Sequence, residues 1–167
     1  TLSDTVLNAG DSPTVTLIFS EKVASFSSAA DITVANGTFT AMSSSDDTTW
    51  TGTFTPTANT DDANNILSLA TSYTDVAGNT GPTATTANYE VDTIYPTVSS
   101  VAITSATGIE NNLLNAGDVV SVTANFNESV IIDNTGGTPT LTFVLGSTDQ
   151  TATYTSGSGD TALVFKY

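Results

Sequence analysis

The pentapeptide Leu7-Asn8-Ala9-Gly10-Asp11 occurs a second time as Leu114-Asn115-Ala116-Gly117-Asp118, 107 positions later. The correspondence continues in the same frame, with Val15 answering to Val122, Phe19 to Phe126, Glu21 to Glu128 and Val23 to Val130. A period of this length is too long for a solenoid repeat and matches a whole domain. The chain is therefore expected to hold two similar domains, with a boundary at 92/93. In the repeat frame the first lacks its opening strand, and the counterpart of the closing strand of the second falls after residue 167. Both ends read as cut from a longer polypeptide.

Rich in Thr, Val, Ile and Phe, the chain has a β-sheet composition. Thr14 to Ser20 alternate, with Val15, Leu17 and Phe19 on one side, as a half-buried strand does. Thr48 to Thr57 is the most regular strand, with Trp50, Gly52 and Phe54 on one face and threonines on the other. Short strands are expected at 31–34 and 37–42, joined by Asn36-Gly37 as a hairpin-type turn. Apolar, strand-like segments follow at 66–73 and 87–91. Residues 1–13 read as a polar lead-in, and 21–30, 59–65 and 74–83 as loops. Asp92-Thr93-Ile94-Tyr95-Pro96-Thr97 reads as a stiff linker, because Pro96 fixes its own φ and extends Tyr95. Strands at 98–104, 119–127, 138–145, 151–155 and from 162 onward make up the second unit. Strands every 8 to 12 residues without a helical pattern predict an all-β chain of tandem immunoglobulin-like β-sandwich domains, a small barrel being the alternative.

Charge and missing residue types exclude several function classes. Seventeen acidic residues stand against two basic ones, Lys22 and Lys166, for a formal charge of −15. Such a surface repels phosphate, so neither nucleic acid nor an anionic membrane is an expected partner. No apolar run reaches membrane-spanning length, and residues 1–30 show no signal-peptide pattern. Cysteine and histidine are both absent, which removes disulfides, the usual general base and the commonest transition-metal ligand. Carboxylate pairs remain, but they lie among Gly and Asn without the aromatics of a sugar subsite. Trp50 sits at a core-facing position. No enzymatic activity is expected.

Divalent-cation binding fits better. Calcium takes six to eight oxygen ligands from carboxylates, amides and carbonyls. Asp75-Val76-Ala77-Gly78-Asn79 offers two such side chains around a Gly, although the same spacing also makes a plain Asx-turn. In an immunoglobulin-like topology the loop begun by Glu21 and the loop holding Asp75 lie at one end of the domain. Glu21, Asp75 and Asn79 could share an ion there. Asp11, Asp61 and Asp62 fall at the other end, where the chain leaves through Asp92. With Glu128 of the next unit they could form a junction site, and an ion would remove their mutual repulsion.

Phe19-Ser20-Glu21-x-Val23, the 75–79 loop and Asp92-Thr93-x-x-Pro96-Thr97, in that order, resemble the bacterial Ig-like repeats of very large secreted adhesins. These include the RTX-type and biofilm-associated adhesins of Gram-negative bacteria. The second unit resembles a sister subtype, departing at Asn127 where the first has Ser20. The resemblance implies domains that extend a ligand-binding tip from the cell surface, with Ca2+ stiffening the junctions. It also implies secretion, neighbouring Ig-like repeats as partners, and host-cell, biofilm or surface ligands engaged through other domains. It carries over to Glu21, Asp75, Asn79 and Asp92 by motif position. Two further readings stay open: a repeat segment of an assembled extracellular filament or surface layer, and a carbohydrate- or protein-binding module.

Overall fold

The computed structural model describes residues 1–167. The chain divides into two compact units, Thr1–Tyr95 and Pro96–Tyr167, so the division falls inside the expected linker.

In chain order unit 1 comprises β1 (Val6–Asn8), β2 (Thr14–Ile18), β3 (Val23–Ala24), a one-turn helix α1 (Ser28–Asp31), β4 (Ile32–Val34), β5 (Gly37–Phe39), β6 (Thr49–Pro56), β7 (Asp61–Asn65), β8 (Leu67–Leu69), β9 (Thr74–Asp75), β10 (Ala84–Thr85) and β11 (Tyr89–Asp92). One sheet runs β2-β6-β5. Opposite it lie β1-β11-β7 and β10-β8-β4, with β7 and β8 interrupted only at Ile66. Between the layers sit Leu7, Val15, Met42, Phe54, Leu67, Tyr89 and Val91. The alternation of apolar residues generates this core. Phe54 projects inward from β6 and meets Tyr89 edge-on, ring centroids 5.5 Å apart. Burying side chains of that size contributes roughly 1.5–3 kcal/mol each. Trp50 packs against the same core and against the ring of Phe26 at 4.9 Å, which makes it a core residue.

Four local expectations are corrected. The lead-in holds β1, which pairs in parallel with β11 (Leu7 opposite Val91); one buried leucine in three residues leaves no periodicity to read. Asn36-Gly37 is not a hairpin turn, because β4 pairs with β8 and β5 with β6, so the chain crosses between sheets there. A Cβ on Gly37 would lie 2.1 Å from the Phe54 ring, so close packing is the reason for the glycine. Asp61 and Asp62 stand on a strand rather than in a loop. Residues 21–30, expected as loop, contain β3 and the start of α1, whose Asp31 carboxylate accepts a hydrogen bond from the Ser27 N–H at 2.7 Å.

Unit 2 comprises β12 (Val98–Thr107), β13 (Val119–Val130), β14 (Thr140–Leu145), β15 (Thr148–Ser156) and β16 (Asp160–Lys166). They form one antiparallel sheet in the order β12-β13-β16-β15-β14. Ala124, Ala152, Leu163 and Phe165 are its buried cluster. Asn127 holds the entry to this unit, its Oδ1 accepting from the Thr97 N–H at 2.5 Å. Thr93 is buried within unit 1, where its hydroxyl donates to the Thr57 carbonyl and accepts from the Thr60 N–H. The segment anchored to neither side is thus shorter than the expected linker.

Candidate functional site

The repeated pentapeptide builds the same turn twice. The Asp11 N–H donates to the Asn8 carbonyl, and the Asn8 N–H donates to the Asp11 carboxylate at 2.8 Å. Asp118 and Asn115 repeat both bonds, the second at 2.6 Å. Gly10 and Gly117 have φ of 97° and 98° at the third position, where a type II turn demands left-handed backbone. The motif is a structural turn, and Asp11 commits one carboxylate oxygen to it.

Glu21, Asp75 and Asn79 are brought together. β3 pairs with β9, placing Val23 opposite Asp75. All three residues line one recess of about 390 Å³. Within it Asp75 is already engaged, its carboxylate accepting from the Asn79 N–H at 2.8 Å and the Asn79 amide at 2.6 Å. Those bonds, with the Asn79 side chain contributing most, hold the Asp75 carboxyl below the usual carboxylate range. The Asx-turn is therefore the formed structure. Glu21 and the Asn79 Oδ1 are the oxygens that the loop's own bonds leave uncommitted.

At the other end of unit 1, Asn8, Asp92 and Asp61 lie side by side across β1, β11 and β7. The Asp92 carboxylate accepts from the Ile94 N–H at 3.1 Å. Asp62 is bound more firmly, accepting from the Asn64 N–H at 2.9 Å and the Asn36 amide at 2.7 Å. Asn36 also donates to Asn65, a buried side chain that itself donates to the carbonyls of Asp62 and Tyr89. This network escaped the sequence reading, since it joins residues dispersed over three segments. Asp62 is thereby a structural ligand of the sandwich. Glu128 is on β13 of unit 2, where its carboxylate accepts from the Asn127 amide at 3.3 Å.

Nowhere are three or more acidic side chains gathered in an arrangement that would hold a metal ion. Calcium at either end of unit 1 would need carbonyls and water for most of its six to eight oxygens. Asp46 caps a turn. Backbone N–H groups of Thr49 and Thr48 and the Ser44 hydroxyl hold its pKa far below normal.

Facing sheets around one core, with a closing strand that pairs both its neighbours, define an immunoglobulin-like all-β domain. The sequence model of the bacterial Ig-like domain matches residues 1–91, and the chain belongs to that family. Such domains are commonly found in surface or extracellular proteins and are generally non-enzymatic. Neither the comparison with curated proteins nor that with solved structures returned a match.

Proposed function

We propose that this chain is a structural extender: consecutive Ig-like repeats of a bacterial cell-surface or extracellular adhesin, stiffened by calcium at domain ends and junctions. The observation that carries the reading is the twice-built turn, with the same hydrogen bonds and the same left-handed glycine in two units of one chain. Duplicating a non-enzymatic domain adds length, and length is what a spacer supplies. The −15 charge supports the calcium part, because a divalent ion placed among carboxylates relieves their repulsion. At the first end the ion would use Glu21, Asp75 and Asn79. At the junction it would use Asp11, Asp61, Asp62, Asp92 and Glu128, with Asp62 restricted by its amide bonds. The partners are neighbouring repeats of the same polypeptide; host, biofilm or surface ligands are met by other domains.

Calorimetry tests the calcium part. Extracellular calcium modules bind with Kd of about 0.1–1 mM, so 10 mM calcium should raise the melting temperature of unit 1 by roughly 5–15 °C over chelator. Glu21→Ala should remove most of the gain attributable to the first end. An unchanged melting curve in calcium and chelator would refute calcium stiffening.

A further inference from the structure

Asn36-Gly37 is the chain's single Asn-Gly step. With no Cβ on the glycine, its nitrogen reaches the preceding side-chain amide with the least steric hindrance. The fold leaves that nitrogen unoccupied. The Thr57 N–H donates to the Asn36 carbonyl and Gly37 stands opposite Pro56, so Gly37 and Pro56 are a non-hydrogen-bonded pair of the β5–β6 ladder. The Gly37 N–H therefore points away from β6, on the edge strand of its sheet. The Asn36 side chain, by contrast, is held. Its backbone is left-handed, with φ of 46°. Its amide nitrogen donates to the Asp62 carboxylate and to Asn65 Oδ1, both at 2.7 Å, which engages both amide hydrogens. Asn65 is buried and fixed in turn by its own donations to the Asp62 and Tyr89 carbonyls.

We propose that Asn36-Gly37 is a latent modification site of unit 1, intact while the sandwich is closed and deamidated once β5 or β7 opens. In the open chain the Gly37 nitrogen attacks the Asn36 Cγ. The new C–N bond closes a cyclic succinimide, and the side-chain nitrogen leaves as ammonia, taking the Gly37 proton. Water then hydrolyses the ring at either carbonyl, leaving aspartate or isoaspartate at position 36. Nothing is oxidised or reduced. Closure is then prevented. The product has no donor at this place, and its carboxylate would face the Asp62 carboxylate and the Asn65 Oδ1, two acceptors left unpaired in a part-buried site. Isoaspartate also inserts a methylene into the backbone beside Gly37, where the Phe54 ring lies 2.1 Å from the position a Cβ would take. The reaction thus makes opening of unit 1 irreversible, and the lesion records that the domain has been opened. Neither calcium nor the spacer role enters, so failure here is distinct from failure of that reading.

The test incubates the full chain in buffer and in urea above its unfolding midpoint. Mass spectrometry follows the chymotryptic peptide Ser27–Phe39, in which Asn36 is the only asparagine. Loss of the amide should run at least about 100-fold slower in buffer than in urea, since it must wait for opening. Asp62→Ala and Asn65→Ala, each of which frees an amide hydrogen, should speed the loss in buffer by about 10-fold and leave the rate in urea unchanged. Gly37→Ala should slow the loss in urea, where folding plays no part. Trp50, the chain's only tryptophan, packs against the core of unit 1 and reports refolding by its fluorescence. After dilution from urea only the fraction that keeps its amide should refold, and Asn36→Asp should reproduce the loss in a fresh chain. Equal rates in buffer and urea would overturn the proposal, as would an amide that survives urea or a deamidated chain that refolds fully. Should Asp62→Ala and Asn65→Ala fail to fold, the rates and refolding of the unaltered chain decide.

Discussion

At the scale of single residues, the acidic side chains divide into those that cap backbone and those left free. Asp46, Asp75 and Asp133 have lowered pKa values because N–H groups, the Ser44 and Thr135 hydroxyls and the Asn79 amide bond their ionised forms. A depressed folded-state pKa stabilises above the unfolded value, here 3.8, and that stability is lost as pH falls through the lowered folded values. Denaturation midpoints should therefore hold steady down to about pH 4 and fall below it. Asp75→Asn should flatten the fall. Gly37 supplies a sharper case. With the Phe54 ring in the space of its Cβ, Gly37→Ala should cost about 1–3 kcal/mol or more. Gly136→Ala, with nothing within 4 Å of its Cβ, should leave chemical denaturation nearly unchanged. The Asn-Ala-Gly-Asp motif was legible as a repeat, and its turn chemistry is complete within four residues. The Asn36–Asp62–Asn65 network was not, since each amide gains its meaning only from a partner in another segment.

Among elements, β1 separates what sequence pattern reveals from what topology adds. The alternating strands β2 and β6 and the closing strand β11 could be read directly, because period-2 burial writes itself into the residues. Val6–Asn8 could not, as its strand character comes from β11 alongside it. The same reason hid β7: Asp61-Asp62-Ala63-Asn64-Asn65 reads as a loop, yet its backbone pairs with β11 and only Asn65 is deeply buried. The energetic consequence can be measured with the repeat as its own control. Leu7→Ala removes a sealed side chain and should cost about 2–5 kcal/mol. Leu114→Ala, at the matching position of unit 2, should cost less than about 1 kcal/mol. Urea unfolding followed separately in each unit by NMR distinguishes the two. Equal costs would mean that β11 is not what makes Leu7 structural.

For the whole molecule, the proposed spacer role rests on the bacterial Ig-like family match, the formal charge of −15 and the turn built twice. Sequence alone conveyed which loops share an end of the domain, since Glu21 and the 75–79 loop do line one recess. It left the Asx-turn at Asp75 open as one of two readings, and it could not convey that Asp62 is bonded to Asn36, because that partner lies in another segment. The central claim is that calcium stiffens the extender, and interunit motion measured by NMR relaxation in calcium and in chelator tests it most directly. Calcium should bring the two units to a common rotational correlation time, and chelator should let them tumble separately. Identical relaxation in both solutions would contradict the account.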